Sequence, residues 1–169
     1  WRAPEAGAAV HLEVDRIAYA TTMYPRFEGF AKDCLAVVEA LVETLRPPSL
    51  HRVGLRYNDA VVPMPDELLE HYVAAPLLPF SPLAADGETV MRHLSETVVQ
   101  TTAGALVVRA LAGVHGLGMM PDLLGQFDLP LKVEVPNDRP VAVLDFDHYW
   151  EVAEAEGVPF DVDAARSRL

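Results

Sequence analysis

The chain has one cysteine, two lysines, four serines and no long apolar run, and each shortage closes off a class of protein. A single cysteine, Cys34, leaves no internal disulfide to form, which agrees with a cytoplasmic setting. Two lysines within a net charge of −12 leave no basic face for phosphate backbones or anionic lipid. Nucleic acid and membrane are therefore poor partners. No apolar stretch approaches the roughly 18 residues that a membrane-spanning helix needs, and no basic–apolar–small leader opens the chain. None of Ser49, Ser81, Ser95 and Ser167 sits in a Gly-X-Ser-X-Gly elbow, so an α/β-hydrolase nucleophile is missing. The glycine-rich run Gly113–Gly118 lacks the Lys-Ser/Thr ending of a phosphate loop and reads as a turn. No repeat recurs at fixed spacing.

What is present is an apolar fraction of 51% over 169 residues, enough for the core of a single domain. The first residue is Trp1, and Asp161–Leu169 reads as a helix just beginning. The native polypeptide is therefore expected to extend at both ends.

The strongest local signal is Phe27–Arg46. At 100° per residue, Phe27, Phe30, Ala31, Cys34, Leu35, Val37, Val38, Leu41, Val42 and Leu45 fall in one arc of about 160°. Glu28, Lys32, Glu39, Glu43 and Arg46 take the opposite side. Pro25 can open this helix, and Pro47 and Pro48 close it. Fully buried, ten such side chains contribute at most about 15–30 kcal/mol. Ordering twenty backbones costs roughly 20–40 kcal/mol, so the helix needs another surface to lie on.

Around it the chain alternates as strands do. Val10–Val14 and Ile17–Tyr24 flank a tight turn. His51–Asn58 places Val53, Leu55 and Tyr57 on one face and Arg52, Gly54, Arg56 and Asn58 on the other. Glu88–Thr102 and Ala105–Ala112 form a long hairpin, and Val141–Tyr149 is the last strand. Pro65–Val73 is expected to be a short helix, and Ala74–Ala85 a proline-rich loop. Most joins are too short for parallel crossovers, although a strand–helix–strand crossover around Phe27–Arg46 is possible. The fold class is therefore α+β, a mainly antiparallel sheet packed on one long helix.

Three short blocks carry a family resemblance. They are Tyr24-Pro25 with Phe30 following, Arg52–Asn58, and Leu144-Asp-Phe-Asp147. Together they resemble a sporadically distributed family of uncharacterised bacterial proteins. In that family a strand ending in Tyr-Pro leads to an aromatic helix start. A Gly-Leu-Arg-Tyr-x-Asn strand follows, and a Leu-Asp-x-Asp strand comes late. The likeness runs in order from Val10 to about Asp163, and Phe27 stands where the family pattern has Trp. The resemblance implies sequence before Trp1 and a helix after Leu169, and it implies no catalytic residue.

Among candidate sites, Asp145 and Asp147 share one strand face while His148 points to the other. Paired carboxylates can hold Mg²⁺ or Mn²⁺, with Glu151 and His115 as further ligands. They can equally be neutralised by Arg52 and Arg56. Arg56 with Asn58 can clamp a carboxylate or phosphate, or pair internally. Cys34, at the centre of the helical arc, reads as core packing. His11, His51, His71 and His93 have no metal-like spacing. Leu117, Met119, Met120, Leu123, Leu124 and Phe127 form an apolar loop that either tucks onto the core or contacts another chain. Leu77-Leu78-Pro79-Phe80 is a second loop of that sort. No cofactor is implied.

The leading expectation is a non-enzymatic bacterial protein that works by protein–protein contact, as a homo-oligomer or with an accessory partner. One alternative is a divalent-metal-dependent enzyme using Asp145 and Asp147. Another is a small-ligand binder with a pocket between helix and sheet.

Overall fold

The computed structural model describes residues 1–78, 88–152 and 157–169. It is α+β. A small antiparallel sheet opens the chain, with strands β1 (Arg2–Ala3), β2 (Ala8–Leu12) and β3 (Ile17–Thr21) in that order. The turn between β2 and β3 is closed by Glu13 accepting from Arg16 at 2.7 Å. Helix α1 (Phe27–Leu45) follows. Its last bond runs from Arg46 N–H to the Val42 carbonyl, and Arg46 then turns left-handed (φ 47°) just ahead of Pro47.

Two residues of β4 (Ser49–Leu50) pair with β9 (Val158–Pro159). The main sheet then comprises β5 (Arg52–Val61), β6 (His93–Thr101), β7 (Gly104–Gly113) and β8 (Val141–Glu151), antiparallel throughout, in the order β5-β8-β7-β6. Helix α2 (Val162–Arg166) closes the described chain, capped by the Asp161 carboxylate accepting from Ala164 N–H. The hairpin joining β6 to β7 needs glycine at position 104. Its φ is +148°, and a Cβ there would lie 2.0 Å from the Tyr149 carbonyl oxygen of the neighbouring strand.

The deepest residues lie on β7 and β8, where Ala110, Leu111, Ala112, Val141, Ala142 and Val143 are essentially inaccessible. Two small cores cover this end of the sheet, one on each face. Val73, with Leu69, Leu77 and Leu78, packs on Ala112 and Ala142. Met120, with Leu117 and Leu123, packs on Leu111 and Val143.

Three details differ from the pattern-based expectations. Pro65–Val73 contains only the 3₁₀ turn Leu69–His71. So short a segment gains little from helical hydrogen bonds, and it instead delivers Val73 into the core; the second α-helix is the one at 162–166. Strands β3 and β5 belong to different sheets, so the possible parallel crossover over α1 is not made. Helix α1 touches α2, and its Phe30 ring lies 5.6 Å from Tyr19 of β3 and 6.2 Å from Tyr24. None of its residues is fully buried. Of the loop Leu77–Phe80, Leu77 and Leu78 lie on the core, while Pro79 and Phe80 fall outside the described residues.

Candidate functional site: a buried aspartate between two arginines

Strand alternation assembles the site. In the β5–β8 and β7–β8 ladders, Asn58 and Arg109 lie directly opposite Asp145, and Arg56 lies opposite Asp147. All five therefore project from one face of the sheet. Asp145 is the one fully buried charged residue among those described.

Both of its oxygens are doubly engaged. Oδ1 accepts from Arg56 Nε at 2.6 Å and from Asn58 Nδ2 at 3.0 Å. Oδ2 accepts from Arg56 Nη2 and from Arg109 Nη1, each at 3.0 Å. A carboxylate offers about four lone-pair positions, and here every one meets an N–H.

The arginines are shared outward. Arg56 donates through Nη1 and Nη2 to both oxygens of Asp122, at 2.7 and 3.0 Å, and Arg109 Nε donates to Glu96 at 2.6 Å. Burial alone lowers the Arg56 pKa, but the hydrogen bonds to Asp122 and Asp145 outweigh it and the net effect raises it. Arg109 behaves the same way, with burial opposed by Glu96 and Asp145. The Arg56 fork holds the Asp122 carboxyl below the usual carboxylate range. Asp147 has a looser partner, Arg52 at 3.4 Å, and the Arg52 guanidinium also lies 3.7 Å above the Tyr149 ring.

The cluster bolts a loop to the sheet. Asn58 donates to Asp145 while its Oδ1 accepts from Met120 N–H at 3.1 Å. Asp122 sits two residues further along, in the 3₁₀ turn Pro121–Leu123. Met120 is buried beneath these bonds, with Leu117 and Leu123 half-buried beside it and Leu124 exposed. Phe127 stands edge-on to His11, ring centroids 6.2 Å apart. Met119 is half-buried.

A metal reading meets this geometry badly. A cation on Asp145 would displace a guanidinium and would face the positive charge of both arginines. His148, on the opposite face, bonds Thr101 Oγ1 at 2.9 Å, and His115 bonds the backbone of its own turn. Among the described residues no three His, Cys, Asp or Glu side chains converge as ligands. Cys34 is half-buried, and burial raises its thiol pKa, which disfavours the reactive thiolate.

Two of the open depressions among the described residues have defined linings. One, of about 400 Å³, lies among Thr101, His148, Trp150 and Arg168. The other lies among Trp1, His11 and Phe127. Neither is lined by α1.

Three members of the cluster, Arg109, Asp122 and Glu96, escape sequence inspection. Arg109 carries a usable signal, since a lone charge inside Ala105–Ala112 implies a buried partner. Asp122 carries none, because only the folded loop brings it to Arg56.

Comparison with family models, curated proteins and solved structures returned no match.

Proposed function

We propose that this protein is a non-enzymatic, cytoplasmic assembly module, acting through contact with a second copy of itself or with an accessory subunit. The observation that carries this reading is the poor internal cover of its apolar surface. Helix α1 has nineteen residues and none is buried. Leu94 and Val98 of β6, and Leu45 of α1, are more than half exposed. Exposed apolar side chains in such number are normally covered in the working state of a protein. The polar cluster at Asp145 supports the reading from the other side. Its hydrogen-bonding capacity is spent within the chain, holding the Met120 loop, rather than offered to a substrate. No helix among the described residues is long and apolar enough to cross a membrane.

The test is the molar mass in solution, by light scattering across a concentration series. A mass well above the 18.5 kDa of one chain is expected. A concentration-independent monomer, with no stoichiometric subunit purifying alongside it, would refute the reading.

A further inference from the structure

The two edges of the main sheet are unequally protected. Edge strands natively carry charge, proline, bulges or a covering segment, because their outer N–H and C=O groups recruit other strands. β5, on one edge, carries Arg52, Arg56 and Asp59 among its ten residues. β6, on the other, runs nine residues without proline, lysine or arginine. Its one acidic residue, Glu96, accepts from Arg109 at 2.6 Å.

The register of β6 identifies which backbone groups are free. The hairpin closes on Thr101 opposite Gly104 across a two-residue turn, so that pair is hydrogen-bonded and the bonding alternates from there. Leu94, Glu96, Val98 and Gln100 therefore direct their backbone groups away from β7. Among the described residues no backbone group bonds to that outer side. Three apolar side chains stand open on this strand, with Leu94 56%, Val98 60% and Val99 45% exposed.

Charge limits where two copies can meet and helps to set the register. The molecule carries a net charge of −12, so two copies repel across most of their surfaces. β6 carries only one formal charge in that field, Glu96. An antiparallel pairing of two copies about a two-fold axis can be centred on residue 96, 97 or 98. Centring on 96 sets two glutamates face to face, and centring on 97 sets Val98 against Glu96 and Val99 against Ser95. Centring on 98 sets Val98 against Val98, Val99 against Thr97 and Glu96 against Gln100, which juxtaposes β-branched residues and opposes no like charges.

We infer that a second copy of this chain docks along the outer edge of β6, antiparallel and centred on Val98, joining the two four-stranded sheets into one. This rests on the assembly reading and specifies its partner and surface.

Sedimentation velocity on the full chain, with the substitution Val98→Lys, tests it. The wild type is expected to sediment as a dimer. Val98→Lys is expected to weaken the dimer at least about tenfold, since it sets two like charges directly opposite in the edge pairing. An unchanged far-UV circular dichroism spectrum and melting midpoint would show that the variant is folded. In a Cys34→Ala background, Val98→Cys is expected to oxidise to a covalent dimer. Paired α-carbons there lie about 5.5 Å apart, within disulfide range. Thr97→Cys, facing Val99, is expected to cross-link far less. A dimer untouched by Val98→Lys would overturn the β6 surface while leaving the assembly reading intact. A monomeric wild type would overturn self-association and leave only an accessory subunit for that reading. Faster cross-linking at 97 than at 98 would overturn the register.

Discussion

The β5 side of the main sheet and its β6 side are built from strands of similar length, yet one carries a charge cluster that holds down a loop and the other leaves three apolar side chains open. On the β5 side, Arg56 and Asn58 reach across to Asp145, and the same groups tie down the loop that carries Met120 and Asp122. On the β6 side the one carboxylate accepts from Arg109, and Leu94, Val98 and Val99 face solvent. The difference shows that the polar residues of this protein do structural work where they cluster. The surface with unspent binding capacity is the plain one. Charge that is fully paired has little left for a ligand, whereas an edge with free backbone groups has all of its capacity left.

Breaking the closed side should give the largest effect. Asp145→Ala strands Arg56 and Arg109 without their shared partner, and such a loss costs about 3–5 kcal/mol. Urea unfolding should show this as a lower midpoint with little change in slope. A loss below about 1 kcal/mol would mean that the cluster contributes little to stability. Met120→Ala comes next. It removes a buried thioether from between Leu111 and Val143, for an expected loss of about 2–3 kcal/mol in the same assay. A near-zero change would mean that the loop is not seated on the sheet.

The smallest effect concerns pH. The His115 Nδ1 accepts from Leu117 N–H at 3.0 Å, which places the ring proton on Nε2, toward the Leu111 carbonyl. Burial pushes the His115 pKa below its ordinary value. Stability from the neutral ring is therefore fully present above the unfolded imidazole value of about 6.5 and is lost as pH falls through the lower folded value. The urea midpoint should drop modestly between neutral pH and about pH 5, and His115→Asn should flatten that part of the profile. A variant with the wild-type pH profile would remove His115 from the account.

Much of this was readable from residue order, for definite reasons. The 3.6-residue period of Phe27–Arg46 located α1 to within a residue. Alternation in Arg52–Asn58 and Val141–Tyr149 placed Arg56, Asn58, Asp145 and Asp147 on faces that proved to be shared. Two kinds of information were not readable. Periodicity says that a helix has an apolar stripe, but not how completely the fold covers it, and the α1 stripe is only half covered. Local pattern also cannot show where a glycine-punctuated loop lands. Leu117, Met120 and Leu123 were equally suited to a core or to a partner until Asn58 and Arg56 were seen holding the loop down. Pro65–Val73 carried helix signals, but the turn was shaped by the need to seat Val73 on Ala112 and Ala142.

The contrast between the two edges is tested most directly by amide hydrogen exchange measured as a function of protein concentration. As concentration rises, the outward amides of Glu96, Val98 and Gln100 are expected to become protected, while exchange along β5 stays unchanged. Exchange at those three positions that is fast at every concentration, or protection that develops on β5 instead, would contradict it.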